Sequence, residues 1–161
     1  MKRIKWLVIF ALIACCLLFL CSTTHAYSDE EYNYISEMTT NSDNISAAVK
    51  EFADMITGIT AQKLNDPNYV AKVVVAVATL DGIALQAKDI ECPNSFKGSN
   101  LYYLQAMDYL HEFCGLFVHA LLARDAQEMN QAFDVLPKAT DYMKKSLGML
   151  MEEKKAIEDG I

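Results

Sequence analysis

Across residues 101–123, Tyr103, Met107, Leu110, Cys114, Phe117 and Leu121 follow one another at alternating steps of four and three residues. That spacing places them on one face of an α-helix. Leu104, Phe113, Leu116, Val118 and Leu122 fill much of the remaining circumference, and Asp108, His111, Glu112 and His119 are the ionisable groups that interrupt it. A helix apolar on most sides is a central helix, surrounded by others.

Three further seams repeat the pattern. Ile35, Met38, Ser42, Ile45, Val49, Phe52, Ile56 and Ile59 predict one long helix over residues 28–62, opened by a capping box in which Ser28 faces Glu31. Its weak point is residues 39–44, Thr-Thr-Asn-Ser-Asp-Asn, all poor helix formers, where a bend or break is expected. Asp66 then caps a second helix with Pro67 in its first turn, and Val70, Val73, Val77, Leu80, Ala84 and Ala87 carry it over residues 67–90. The run Val73, Val74, Val75 suits a strand as well, but a strand would not sustain heptad spacing to Ala87.

Residues 91–99, with Pro93, Asn94, Ser95, Gly98 and Ser99, form the one extended loop, after which Ser99 or Asn100 caps the central helix. That helix ends at Arg124, and a second capping box, Asp125 with Glu128, starts the fourth almost at once. Phe133, Leu136, Thr140, Met143, Leu147 and Leu150 extend it to about residue 155, with a kink expected at Pro137. The fold class is all-α, and short connections predict an antiparallel up-down-up-down four-helix bundle. Folding each hairpin about its turn brings Gly82 opposite residues 46–48 and Gly115 opposite Phe133, where close packing would offset the helix cost of glycine.

The N-terminus changes the picture of location. Lys2, Arg3 and Lys5 precede an uncharged apolar run, residues 6–21, and Thr24 and Ala26 make an acceptable cleavage site, so residues 1–26 read as a secretory signal peptide. An uncleaved anchor through residues 6–21 is one alternative; lipidation at Cys15 of the Leu-Ile-Ala-Cys stretch is another. Each reading places the domain, residues 27–161, outside the cytoplasm. Without the leader's three cations, 14 Lys+Arg against 21 Asp+Glu becomes a net charge of −10. A nucleic-acid footprint is thereby excluded, and any membrane attachment comes through the N-terminal segment.

Candidate chemistry is sparse. Asp108, His111, Cys114 and His119 are the best metal ligands, with Asp108, His111 and Cys114 three apart on one face. A di-iron bundle needs carboxylates on four helices and paired Glu-x-x-His motifs, and attached haem needs Cys-x-x-Cys-His; both patterns are missing. A metal- or haem-binding bundle using His111 with Cys or Met ligands, among them Met38, Met55, Met107, Met129 and Met143, is the alternative function. Methionines at heptad spacing are usually core filler, so no cofactor is expected. Cys92 and Cys114 lie ~22 Å apart by helical rise, too far for a bridge.

Nucleophilic catalysis has no motif to stand on, so the chain is not expected to be an enzyme. Tyr27, Tyr32 and Tyr34 crowd the start of the first helix and Tyr102, Tyr103 and Tyr109 that of the third, one end of an up-down bundle and a possible interaction patch. The leading reading is a non-catalytic extracytoplasmic binding or interaction module for a protein or small ligand, of open oligomeric state.

Overall fold

The computed structural model describes residues 27–159; the leader, residues 1–26, lies outside the described residues. The chain there is all-α: α1 (Asp29–Ile56), α2 (Ala61–Leu64), α3 (Pro67–Gln86), α4 (Lys97–Ala123), α5 (Ala126–Phe133) and α6 (Leu136–Glu158), with 3-10 turns at Ala87–Asp89 and Asn94–Phe96. No strand occurs among the described residues, so the valine run of α3 is helical.

Cross-helix partners give the sense of each pair. Asn41 donates to the Ile83 carbonyl at 3.1 Å and Tyr69 to that of Met55 at 2.6 Å, so α3 runs back along α1. Asp81 meets His111 and Lys88 meets Asp108, which makes α4 antiparallel to α3. Ser146 donates to the Ser99 carbonyl at 2.8 Å, and the Tyr109 and Tyr142 rings lie 5.4 Å apart, so α6 returns along α4.

Helix α4 is central, as its pattern predicts. It packs on α3, α5 and α6, and it reaches α1 through large side chains. The six positions of its seam are all buried. Phe52 of α1 meets Phe113 at 5.7 Å and Phe117 at 5.0 Å, and Phe133 of α5 closes the cluster at 5.6 Å from each. Such ring pairs contribute ~1 kcal/mol each beyond their buried area. The helix is not covered on every side, however: Leu101, Leu116 and Leu122 face solvent.

Several boundaries depart from expectation, each for a local reason. Helix α1 stops at Ile56 instead of running to residue 62, because Gly58 takes a φ of 74°, a left-handed turn that glycine adopts without strain. The helix does not break at residues 39–44. Thr40 returns its hydroxyl to the Ser36 carbonyl, and Asn41 is buried, donating to Ile83 and accepting the Tyr103 hydroxyl at 2.6 Å. Poor helix formers persist there because tertiary hydrogen bonds outweigh propensity.

The expected fourth helix is two helices, parted at Asp134 and Val135. Pro137 therefore sits in the first turn of α6, where its missing amide costs nothing, and the interruption falls at Asp134 and Val135 just before it, in place of a kink within one helix. Neither Gly82 nor Gly115 sits at a close approach, since a Cβ on either would meet nothing within 4 Å. Residues 91–99 are not all irregular: Phe96 ends a 3-10 turn fully buried, stacked on Tyr34 at 5.3 Å.

The start of α4 is where sequence reading is furthest off. The helix begins at Lys97, and Phe96 in the capping position offers no side-chain acceptor. Its first-turn amides are instead taken by Glu153, near the end of α6: Gly98 donates to Oε1 at 2.9 Å, and Ser99 donates to the two carboxylate oxygens at 3.2 and 3.3 Å. The negative charge also suits the positive end of the helix dipole. Gly98 leaves the space this needs, since a Cβ there would stand 2.7 Å from Glu153 Oε1 and 3.0 Å from Met149 Cγ.

Helix propensity alone would make Gly98→Ala stabilising by ~1 kcal/mol. Displacing the carboxylate costs charge-assisted bonds worth ~2 kcal/mol, so Gly98→Ala is expected to destabilise by ~1 kcal/mol in urea unfolding. In a Glu153→Ala background the same change is expected to stabilise. An unchanged sign in both backgrounds would refute the cap.

Glu31 is held below its ordinary value of 4.5, chiefly by the Ser95 hydroxyl at 2.6 Å; burial opposes this, and the Ser28 amide and hydroxyl add to it. The unfolded chain binds that proton more readily, so the stabilisation is complete above about pH 4.5 and is lost as pH falls through the lowered folded value. Glu31→Gln is expected to lower the urea midpoint at pH 7, with the gap to the parent closing by about pH 2. A gap of constant size across that range would show that the charge of Glu31 is idle.

Candidate functional site

The residues singled out by sequence do not converge. Asp108 pairs with Lys88 at 2.8 Å, His111 places Nδ1 on Asp81 across the α3 boundary, and His119 places Nδ1 3.1 Å from Glu128 of α5. Glu128 is thus drawn from the capping box expected of it, and Asp125 caps α5 alone. Cys114 is buried, and burial, aided by the nearby Asp81 charge, pushes its thiol well above the ordinary range. Among the described residues no three His, Cys, Asp or Glu side chains are grouped to hold a metal ion. Cys92 and Cys114 are both free thiols.

The six tyrosines also divide. Tyr34 and Tyr103 are fully buried and cannot present a surface, whereas Tyr32 is 67% exposed. Tyr102 and Tyr109 both lean on Tyr142 of α6, and Lys138 lies 5.4 Å from the Tyr109 ring. Tyr27 donates to Glu158 at 3.3 Å beneath the Lys154 ammonium. They do not form one exposed patch.

A groove that sequence reading missed runs along the first half of α1. Glu30, Asn33, Glu37, Thr40 and Asn44 recur at steps of three and four residues, one stripe of the helix, and line one wall. The facing wall is the end of α3 and the connection after it: Gln86, Asp89 and Ile90, then Glu91, Cys92 and Pro93. Two cavities of about 470 and 340 Å³ occupy it side by side, sharing Glu37 and Asp89. Such volumes suit a small ligand or a short peptide segment.

The groove floor is rigid. Tyr34 donates to Asn100 at 3.2 Å while stacked on Phe96, and Asn41 is held between Ile83 and Tyr103. Ser95 ties the connection to α1 through Glu31, which fixes the facing wall. The walls carry four carboxylates, Glu30, Glu37, Asp89 and Glu91, and no Lys, Arg or His lines either cavity. Lys88, adjacent in sequence, is turned away to Asp108.

The groups that could do covalent chemistry here are held neutral. Burial pushes the Cys92 thiol up; the Tyr34 hydroxyl and Lys97 act against that push and Glu153 adds to it. The thiol rests on the Pro93 carbonyl at 3.3 Å. Burial likewise pushes the Tyr34 phenol far above its ordinary value, and the Glu153 charge adds to it. What remains is a concave, negative, amide-bearing surface that can take a cation and hydrogen-bond around it.

The signal was legible in part: polar residues at helical spacing opposite an acidic connection. A stripe of this kind is ordinarily a solvated helix face, and nothing in the residues alone brings residues 86–93 against it. Comparison of the chain with protein-family models, with curated proteins and with solved structures finds no match.

Proposed function

We propose that this protein is a non-catalytic binding module that works outside the cytoplasm, its four long helices arranged as an up-down-up-down bundle behind a signal peptide or N-terminal anchor. Its ligand is cationic: an amine, a guanidinium compound or a basic segment of a partner protein, seated between α1 and residues 86–93. The observation that carries this reading is the groove itself, with four carboxylates, no basic residue in its lining and a floor pinned by buried hydrogen bonds. A preformed negative concavity accelerates encounter with cations and needs little reordering when it is filled. The neutral thiol and phenol in the same groove support binding over covalent catalysis.

Spermidine and a lysine-rich peptide are suitable probes. Titration of either, followed by amide chemical shifts, is expected to move the Asn33 and Asn44 resonances and to weaken steeply with added salt. Glu37→Gln combined with Asp89→Asn is expected to weaken binding roughly tenfold, the effect of losing two partly screened charges. Equal binding of an acidic peptide, or indifference to the double substitution, would reject the groove as the site.

A further inference from the structure

Helix α3 has a second apolar face that nothing among the described residues covers. The span Pro67–Asp89 is long and apolar enough to cross a membrane, yet 33% of its most apolar stretch is buried. Val73, Ala76, Val77, Leu80 and Ala84 supply the buried side. On the opposite side Ala71, Val75, Ala78, Gly82 and Leu85 recur at steps of four, three, four and three, a second seam. Val75 is 65% exposed and Leu85 40% exposed, and a Cβ at Gly82 would meet nothing within 4 Å.

From this face we infer that two copies of the chain associate, α3 against α3, antiparallel about a two-fold axis passing near Ala78. Charge selects the partner. The body is strongly acidic, and α1, α4 and α6 all turn carboxylates outward, such as Glu37, Glu112 and Glu152. Two copies approaching on those helices repel one another. Within α3 the charged residues are Lys72 and Asp81, and Asp81 is engaged by His111. The α3 face is therefore where like molecules meet without opposed carboxylates.

Shape agrees with charge. A two-fold contact needs a patch that complements itself. With Ala78 at the axis, Leu85 of each copy comes level with Ala71 of the other, and Val75 comes within one residue of Gly82. Each larger side chain thus meets a small one, which lets the helices approach closely. One helix pair buries little area compared with an obligate dimer, so the association is weak and concentration-dependent. This inference does not rest on the groove, which touches α3 only at its last residue, Gln86.

Sedimentation velocity of the purified protein over a concentration series tests it, with vesicle flotation in parallel. The expected result is a reversible shift from monomer towards dimer, lost in Ala78→Glu and in Val75→Lys, with far-UV circular dichroism unchanged in both. In a Cys92→Ser background, Ala78→Cys is expected to oxidise to a disulfide-linked dimer, because residues at the axis come within bridging distance. A monomer at every concentration would overturn the proposal, as would a dimer insensitive to both surface variants. A monomer that floats with phosphatidylcholine vesicles through this face would overturn it in favour of lipid.

Discussion

The first turn of α4 is the constraint on which the rest of the structure depends. A helix start leaves amides without intrahelical partners, and inside a packed protein each must find an acceptor. Phe96, Lys97 and Gly98 offer none, and Ser99 spends its own hydroxyl on the Phe96 carbonyl. The acceptor comes from Glu153, more than fifty residues onward. Ser146, earlier on α6, adds a bond of the opposite sense, donating its hydroxyl to the Ser99 carbonyl. The register of α6 on α4 is thus set by directional bonds at one end and by rings further along, where Tyr142 meets Tyr102 and Tyr109. Apolar seams alone permit sliding by a turn; these polar contacts do not.

A similar logic governs α1. Its seam is apolar except at Ser42, and the neighbouring Asn41 turns inward to meet α3 by its amide and α4 by its carbonyl oxygen. One buried side chain therefore sets two helix pairings at once. A buried amide is tolerable because both of its ends are occupied, and replacing its partner Tyr103 with an apolar ring would leave an orphaned acceptor. The groove beside it inherits this stiffness: its wall residues are exposed, but the backbone carrying them is held from below.

Periodicity carried most of the fold because burial follows it closely: Ile35, Met38, Ile45, Val49, Phe52 and Ile56 are all buried, as are the corresponding positions of α4 and, the half-buried Val70 apart, of α3. Helix ends were legible only where the signal is local. Ser28, Asp66 and Asp125 cap as their sequences suggest. The start of α4 was not legible, since its cap is a residue on another helix, and the division at Asp134 and Val135 was hidden by an apolar seam running straight through it. The candidate site fared worse for a related reason. Histidines invite a ligand reading, yet here His111 and His119 each sit on a carboxylate of a neighbouring helix, whereas the groove is made of residue types that solvated surfaces use everywhere.

The meeting of Tyr27 with Lys154 and Glu158 has a consequence for chain order. The two ends of the described body lie side by side, while the connection at Gly58, at the far end of α1, is short and exposed. Nothing in the packing of α1 against α3 and α4 requires it to come first. A circularly permuted chain, joined by a few residues between positions 159 and 27 and opened at Gly58, would retain every helix described and place α1 last.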